Sequence, residues 1–142
     1  MTSSTSAPLP EIPADRSYVF TGETTEFNGV LLYRIQAIRD VPPRVKKGDI
    51  GGFICHPSNL SGNAWVFDQG RVSEYAHVYG NAGVYDSAEV GDNAIVCDNA
   101  QIRGEAYIIG FSRIGGNAKI GGHVLVAGQT HLGGDAWITA DD

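Results

Sequence analysis

The amino-acid sequence predicts an all-β chain: a parallel β-helix of five triangular 18-residue coils, with a β-hairpin cap at its N-terminal end. Three observations predict this. From Gly51 to Ala140 the chain divides into fifteen six-residue blocks without an insertion. The fourth position of each block is aliphatic, from Ile54, Leu60 and Val66 through to Leu132 and Ile138. A second period then lies on the first. Gly62-Asn63-Ala64, Gly80-Asn81-Ala82, Asp98-Asn99-Ala100, Gly116-Asn117-Ala118 and Gly134-Asp135-Ala136 recur every 18 residues, or three blocks. A short repeat of this kind is the signature of a solenoid, because each unit buries its apolar side only against its neighbours.

Residues 1–14 are rich in Ser, Thr and Pro and are expected to be a disordered tail. The segment 15–50 is expected to hold the hairpin cap and a linker. Asn28-Gly29 is a strong two-residue hairpin signal between Ser17–Phe27 and Val30–Ile38. Leu31, Tyr33, Ile35 and Ala37 fall at alternate positions, so the second strand should be half-buried. Asp40–Asp49, with Pro42-Pro43, reads as the linker. The β-helix occupies 51–140. Its second block position is Gly, Ala, Ser or Thr everywhere except Val124. Positions two and four share parity and point inward together. Positions six and one are rich in Gly, Asn and Asp, which tolerate left-handed turns. Equivalent asparagines should stack at one corner, where their amides can form a ladder. Five coils at the ~4.8 Å strand spacing make a rod about 24 Å tall. Asp141-Asp142 form a short tail, and nothing in the sequence covers the last coil, which is expected to fray, to be protected by those charges, or to pair with another chain through Trp137 and Ile138.

Gly51-Gly52-Phe53-Ile54, Asn59-Leu60-Ser61 and Gly62-Asn63-Ala64-Trp65-Val66, with Lys47-Gly48 ahead of them, resemble the opening of the YdcK-type β-helix proteins of bacteria and their phages. Leu31–Asp40 also resembles the strand that precedes the helix in that family. The resemblance spans about residues 30–140 and implies a hexapeptide-repeat, left-handed β-helix. It implies no shared activity, and fold alone does not specify one.

Composition narrows the function classes. The chain has 142 residues, which suits one domain, with 42% hydrophobic and 18% charged residues. No apolar run is long enough for a membrane span and the N-terminus lacks signal-peptide character. Two cysteines suit a reducing compartment, so a cytoplasmic location is expected. A net charge of −6 argues against nucleic acid as a partner.

Outward apolar residues are the most informative feature. Trp65, Phe67 and Tyr85 share one side, Tyr79, Ile95 and Cys97 the next, and Tyr107, Ile109, Leu125 and Ala127 the third. Clustered aromatic and aliphatic residues of this kind mark contact surfaces. The candidate interface is therefore Trp65, Phe67, Tyr79, Tyr85, Ile95, Tyr107, Ile109, Leu125, Trp137 and Ile138. The expected partner is the protein itself, as a dimer or trimer, with a foreign protein as the alternative. The expected role is a non-catalytic binding or scaffold protein, in the setting of a phage- or mobile-element-encoded inhibitor or adaptor. Two other readings stand beside it: a hexapeptide-repeat acyltransferase-like enzyme with an inter-subunit site, and a self-assembling structural unit. An enzyme would need His77, His123 or His131 as its base, and surface histidines are the plainer reading. No zinc spacing is present. The stacked corner acids, Asp68 over Asp86 and Glu74 over Asp92, read as turn residues in preference to a calcium ladder. No cofactor and no metal are therefore expected. Cys55 and Cys97 read as outward thiols, and Arg34, Arg39, Arg44, Lys46 and Lys47 as a basic junction.

Overall fold

The computed structural model describes residues 10–140, so the expectations for residues 1–9 and 141–142 lie outside the described residues. The chain is nearly all β and forms a parallel β-solenoid of five coils. Strands β1 (Tyr18–Phe27) and β2 (Val30–Ala37) make an antiparallel hairpin, and β2 pairs antiparallel with β3 (Ile50–Ile54), the first strand of the solenoid. From there each side of each coil is a strand of two to four residues, except the second side of the first coil, where a 3-10 turn, Pro57–Asn59, leads to a single bridging residue, Leu60.

The three sides build three sheets, here called faces after their first inward aliphatic. On the Ile54 face, β3 is followed by Arg71–Val72, Glu89–Val90, Tyr107–Ile108 and Leu125–Val126, all parallel and in register. The hairpin extends this face to seven strands. The Val66 face stacks Trp65–Val66, Gly83–Val84, Gln101–Ile102, Lys119–Gly122 and Trp137–Ala140. The Leu60 face stacks His77–Val78, Ile95–Val96, Arg113–Ile114 and His131–Leu132, with Leu60 bridging onto Val78. The 18-residue period thus appears directly as Cα partners 18 residues apart.

Inward positions follow the six-residue pattern. The aliphatics from Ile54 to Val126 are buried, while Leu132 and Ile138 in the fifth coil are only half-buried. Residues of the sixth position take left-handed backbone at every corner from Gly62 to Gly134, including Asp68, Glu74, Asp86, Asp92 and Asp98. Carboxylates at that position do a second job. Asp86 Oδ2 accepts the Gly104 N–H at 2.9 Å, Asp92 Oδ2 the Gly110 N–H at 3.0 Å and Asp98 Oδ2 the Gly116 N–H at 2.8 Å. Acids at the corners are therefore turn residues that satisfy the next coil's backbone. The asparagine ladder is much smaller than the sequence suggests. Among the described residues its one amide bond runs from Asn117 to Asp135 at 3.4 Å, because backbone bonds already join the stacked corners.

The hairpin caps the first coil as expected. Asn28 and Gly29 both have positive φ, the geometry its turn requires. Tyr18, Ile35 and Ala37 join the core cluster, and the Tyr18 hydroxyl donates toward the Leu60 carbonyl at 2.9 Å. Burial pushes the Tyr18 phenol up to about 12. Two expectations are corrected here. Leu31 is 46% exposed and lines an open recess with Cys55, His56 and Tyr75, while Leu32 across the strand is fully buried. Asp40–Asp49 is more than a solvated linker. Val41 and Val45 bridge each other through paired backbone bonds of 2.8 and 3.0 Å and are buried in the core cluster.

Tight approach explains the double glycine. A Cβ at Gly51 would lie 2.9 Å from Trp65 Cζ2, and one at Gly52 would lie 2.5 Å from the Gly70 carbonyl oxygen. Gly110 is confined too, since its φ is +73° and a Cβ would approach the Gly128 oxygen to 2.7 Å. Gly110→Ala should therefore cost at least ~1–2 kcal/mol in urea denaturation, the penalty of left-handed backbone for an L-residue. Gly110→Asp should cost less than Gly110→Ala, because its carboxylate can accept the N–H above it as Asp92 does. The reverse order would contradict this account of the corners.

Candidate functional site

The structure sorts the outward apolar residues into three groups. Trp65 leaves the surface entirely. It is 1% exposed and packs edge-on against Tyr18, ring centroids 6.4 Å apart, in the cluster that holds Ile35, Val41 and Val45. The third block position points outward in later coils, but in the first coil the hairpin and the Val41–Val45 loop cover it. Trp65 therefore closes the base of the solenoid and is not available as an interface residue.

Phe67, Tyr85, Tyr79 and Ile95 form a second, half-buried group. Phe67 and Tyr85 stack face to face at 4.4 Å and 4°. Arg44 lies over both rings, donates to the Tyr85 hydroxyl and to the Asn81 carbonyl, and so fastens the 40–49 loop to this face. Tyr79 packs on His77 with centroids 4.6 Å apart. Cys97 is 1% exposed, a correction to its reading as an outward thiol, and its sulfur lies beside Gly115, the next rung of its column. Cys55 is half-buried, and burial raises its thiol above the ordinary value.

The third group is open. On the Ile54 face Tyr107 and Leu125 are Cα partners in coils four and five, with Ile109 and Ala127 beside them. Leu125 is 61% exposed, and Tyr107 and Ile109 are half-buried. Phe111, at the corner two residues past Ile109, is 62% exposed. Tyr75 occupies the same corner two coils earlier and is also exposed. The outward-face reading passed over both because they sit at the first block position. The signal was available: an aromatic stands there where the other blocks mostly carry Asn, Asp, Gln or Ser. Trp137 is 75% exposed on the Val66 face, and Ile138 is half-buried at the end of the core.

Polar candidates resolve into structural roles. Asn59, fully buried, accepts the N–H groups of Cys55 and His56 at 3.0 and 2.9 Å and donates to the carbonyls of Glu74 and Ala76 at 3.2 and 2.8 Å. It substitutes for regular strand bonds where the first coil bends through a 3-10 turn, Pro57–Asn59. Arg34 donates to the Gly51 and Asp68 carbonyls at 2.9 Å each and lies over Phe53, so this member of the basic junction clamps the hairpin to the first coil. Arg71 covers Phe27 at 4.0 Å and pairs with Glu89 at 3.2 Å, which pins the hairpin tip to the Ile54 face. Burial pushes the Glu89 carboxyl up, against the pull of Arg71.

The histidines are scattered. His77 Nε2 lies 2.8 Å from Ser61 Oγ, His123 pairs with Glu105, His56 caps the 3-10 turn and His131 is exposed. No group of three or more His, Cys, Asp or Glu suited to a metal ion occurs among the described residues. Among the described residues no helix is long and apolar enough to cross a membrane. No protein-family model matches the chain, and no curated protein matches it at a significant level.

Burial, and after it the Arg16 cation, holds the His77 imidazole below its ordinary value of 6.5. Above that pH both folded and unfolded chains carry it neutral. As the pH falls through 6.5, the unfolded chain takes up the proton first and stability is lost until the lower folded value is passed. His77→Gln should accordingly show a flatter loss of thermal stability between about pH 7.5 and 5.5 than the parent. Parallel curves would show that His77 is as hydrated folded as unfolded.

Proposed function

We propose that this chain is a non-catalytic binding or scaffold protein that works as a homo-oligomer through protein–protein contact. The observation that carries the reading is the apolar surface of coils four and five on the Ile54 face. Tyr107 and Leu125 are neighbours there on strands held rigid by coil-on-coil pairing, and Ile109 and the exposed Phe111 follow Tyr107 along the fourth coil to its corner. An aromatic-rich patch of adjoining apolar residues suits an interface core better than free surface. A second copy with the same patch is its simplest partner, since a two-fold contact is self-complementary. We further infer a hexapeptide-repeat, left-handed helix of the YdcK type and a cytoplasmic setting, in which a phage- or mobile-element-encoded adaptor or inhibitor would present this rod to a host protein.

A second reading, assembly through the last coil, draws on different residues. Leu132 and Ile138 are half-buried there, and the fifth coil supplies the terminal strand of all three sheets. Unpaired strand edges of this kind template further pairing.

Light scattering separates the two. The parent should run at a multiple of 15.1 kDa, and Phe111→Glu/Leu125→Glu should run at 15.1 kDa with its β circular dichroism intact. Trp137→Glu/Ile138→Glu should keep the oligomer if the face is the contact and lose it if the last coil is. A monomeric parent would overturn the homo-oligomer reading.

A further inference from the structure

The Val66 face carries a column of fifth-position side chains: Phe67, Tyr85, Arg103, Gly121 and Thr139. Successive members sit one coil apart, at the ~4.8 Å strand spacing, which is close to the separation of stacked planar groups. The first three rungs exploit it. Phe67 and Tyr85 are 4.4 Å apart and nearly parallel, and the Arg103 guanidinium lies 4.2 Å from the Tyr85 centroid. Arg103 is held in place from the side, donating through Nε and an Nη to Gln101 Oε1 at 3.1 and 2.9 Å.

The fourth rung is Gly121, where the stack has a gap. Neither backbone nor space requires glycine here. Its φ is not in the positive range, and a Cβ would meet only Thr139 Cγ2 at 3.4 Å and Arg103 Cβ at 4.0 Å. The gap opens a cleft of about 270 Å³ bounded by Arg103, Lys119, Trp137 and Thr139. Among the described residues no carboxylate lines this cleft, and neither Arg103 nor Lys119 forms an ion pair. Lys119 Nζ lies 6.0 Å from the Trp137 ring, beside the gap.

We propose that this cleft binds a planar aromatic anion of one or two fused rings. Rungs three and five stand two strand spacings apart, ~9.6 Å, which leaves room for one ring between the Arg103 guanidinium and the Thr139 methyl. The ring becomes the fourth rung of the stack, on the weakly hydrated face of an arginine. Its carboxylate or phosphate meets Lys119 Nζ, which forms no ion pair among the described residues. Charge excludes aromatic cations, and the ring-thick gap disfavours bulky aliphatic acids. This site lies on a different face from the proposed self-association surface, so the two stand or fall separately.

Titration calorimetry of the full chain with 2-naphthoate tests it, with 2-naphthylmethanol and acetate as the uncharged and ringless comparisons. Naphthoate should bind one per chain, and both comparisons should bind at least roughly tenfold more weakly, about 1.4 kcal/mol. Gly121→Phe supplies the missing rung from the protein itself and should abolish binding. Lys119→Met, which leaves the fold and the gap alone, should weaken naphthoate roughly tenfold and leave naphthylmethanol unchanged. The proposal is overturned if the parent shows no naphthoate binding up to about 1 mM. It is equally overturned if acetate or naphthylmethanol binds as tightly, or if Lys119→Met leaves naphthoate affinity unchanged.

Discussion

Ile54, Val72, Val90, Ile108 and Val126 lie over one another along one side of the core, with equivalent columns starting at Leu60 and Val66. That register is the constraint on which the molecule depends. Each coil contributes three inward aliphatics, too few to bury anything alone, and gains a core only by covering the coil before it. Odd-position N–H groups tie each coil to carbonyls of the next: Trp65 to Ala82, Gly83 to Ala100, Gln101 to Ala118, Lys119 to Ala136. Apolar burial and backbone pairing therefore demand the same 18-residue offset, and a slip of one residue would turn every inward side chain out.

The outside inherits the spacing. Corner carboxylates find the N–H of the next coil because it recurs directly above them, and Phe67, Tyr85 and Arg103 stack because the strands hold them about one ring-thickness apart. A solenoid of this kind makes columns of like-placed side chains whether or not a function uses them. What distinguishes one column from another is the residue type on each rung. Apolar neighbours in coils four and five, or a glycine following an arginine, are departures from mere repetition, and those departures carry the functional readings.

The ends break the symmetry, and they are also where the sequence was least legible. Block periodicity, hairpin turn and left-handed corners could all be read from residue spacing, because each block makes the same local choice. Periodicity assigns Trp65 and Asn59 outward positions like any third residue. It carries no information about the first coil having a hairpin beneath it, with Tyr18 and the Val41–Val45 loop as neighbours. Trp65 is accordingly core and Asn59 a fully satisfied buried amide. Tyr75 and Phe111 occupy turns, outside the alternating strand positions from which outward apolar residues can be read. Of the expected interface, Leu125 and Trp137 are the residues found most open, and both belong to the fifth coil.

Amide hydrogen exchange tests the central claim, coil-on-coil pairing that ties each described coil to the one above it. The odd-position amides of Tyr107, Arg113 and Lys119 donate to carbonyls above them, whereas their counterparts in the next coil, Leu125, His131 and Trp137, have no coil above them among the described residues. Tyr107, Arg113 and Lys119 should exchange slowly, approaching the rate set by global unfolding, and Leu125, His131 and Trp137 should exchange fast, near the open limit. Equal protection in the two sets would contradict the account, by showing the last coil's edge to be paired. Fast exchange throughout would contradict it more deeply, by removing the pairing itself.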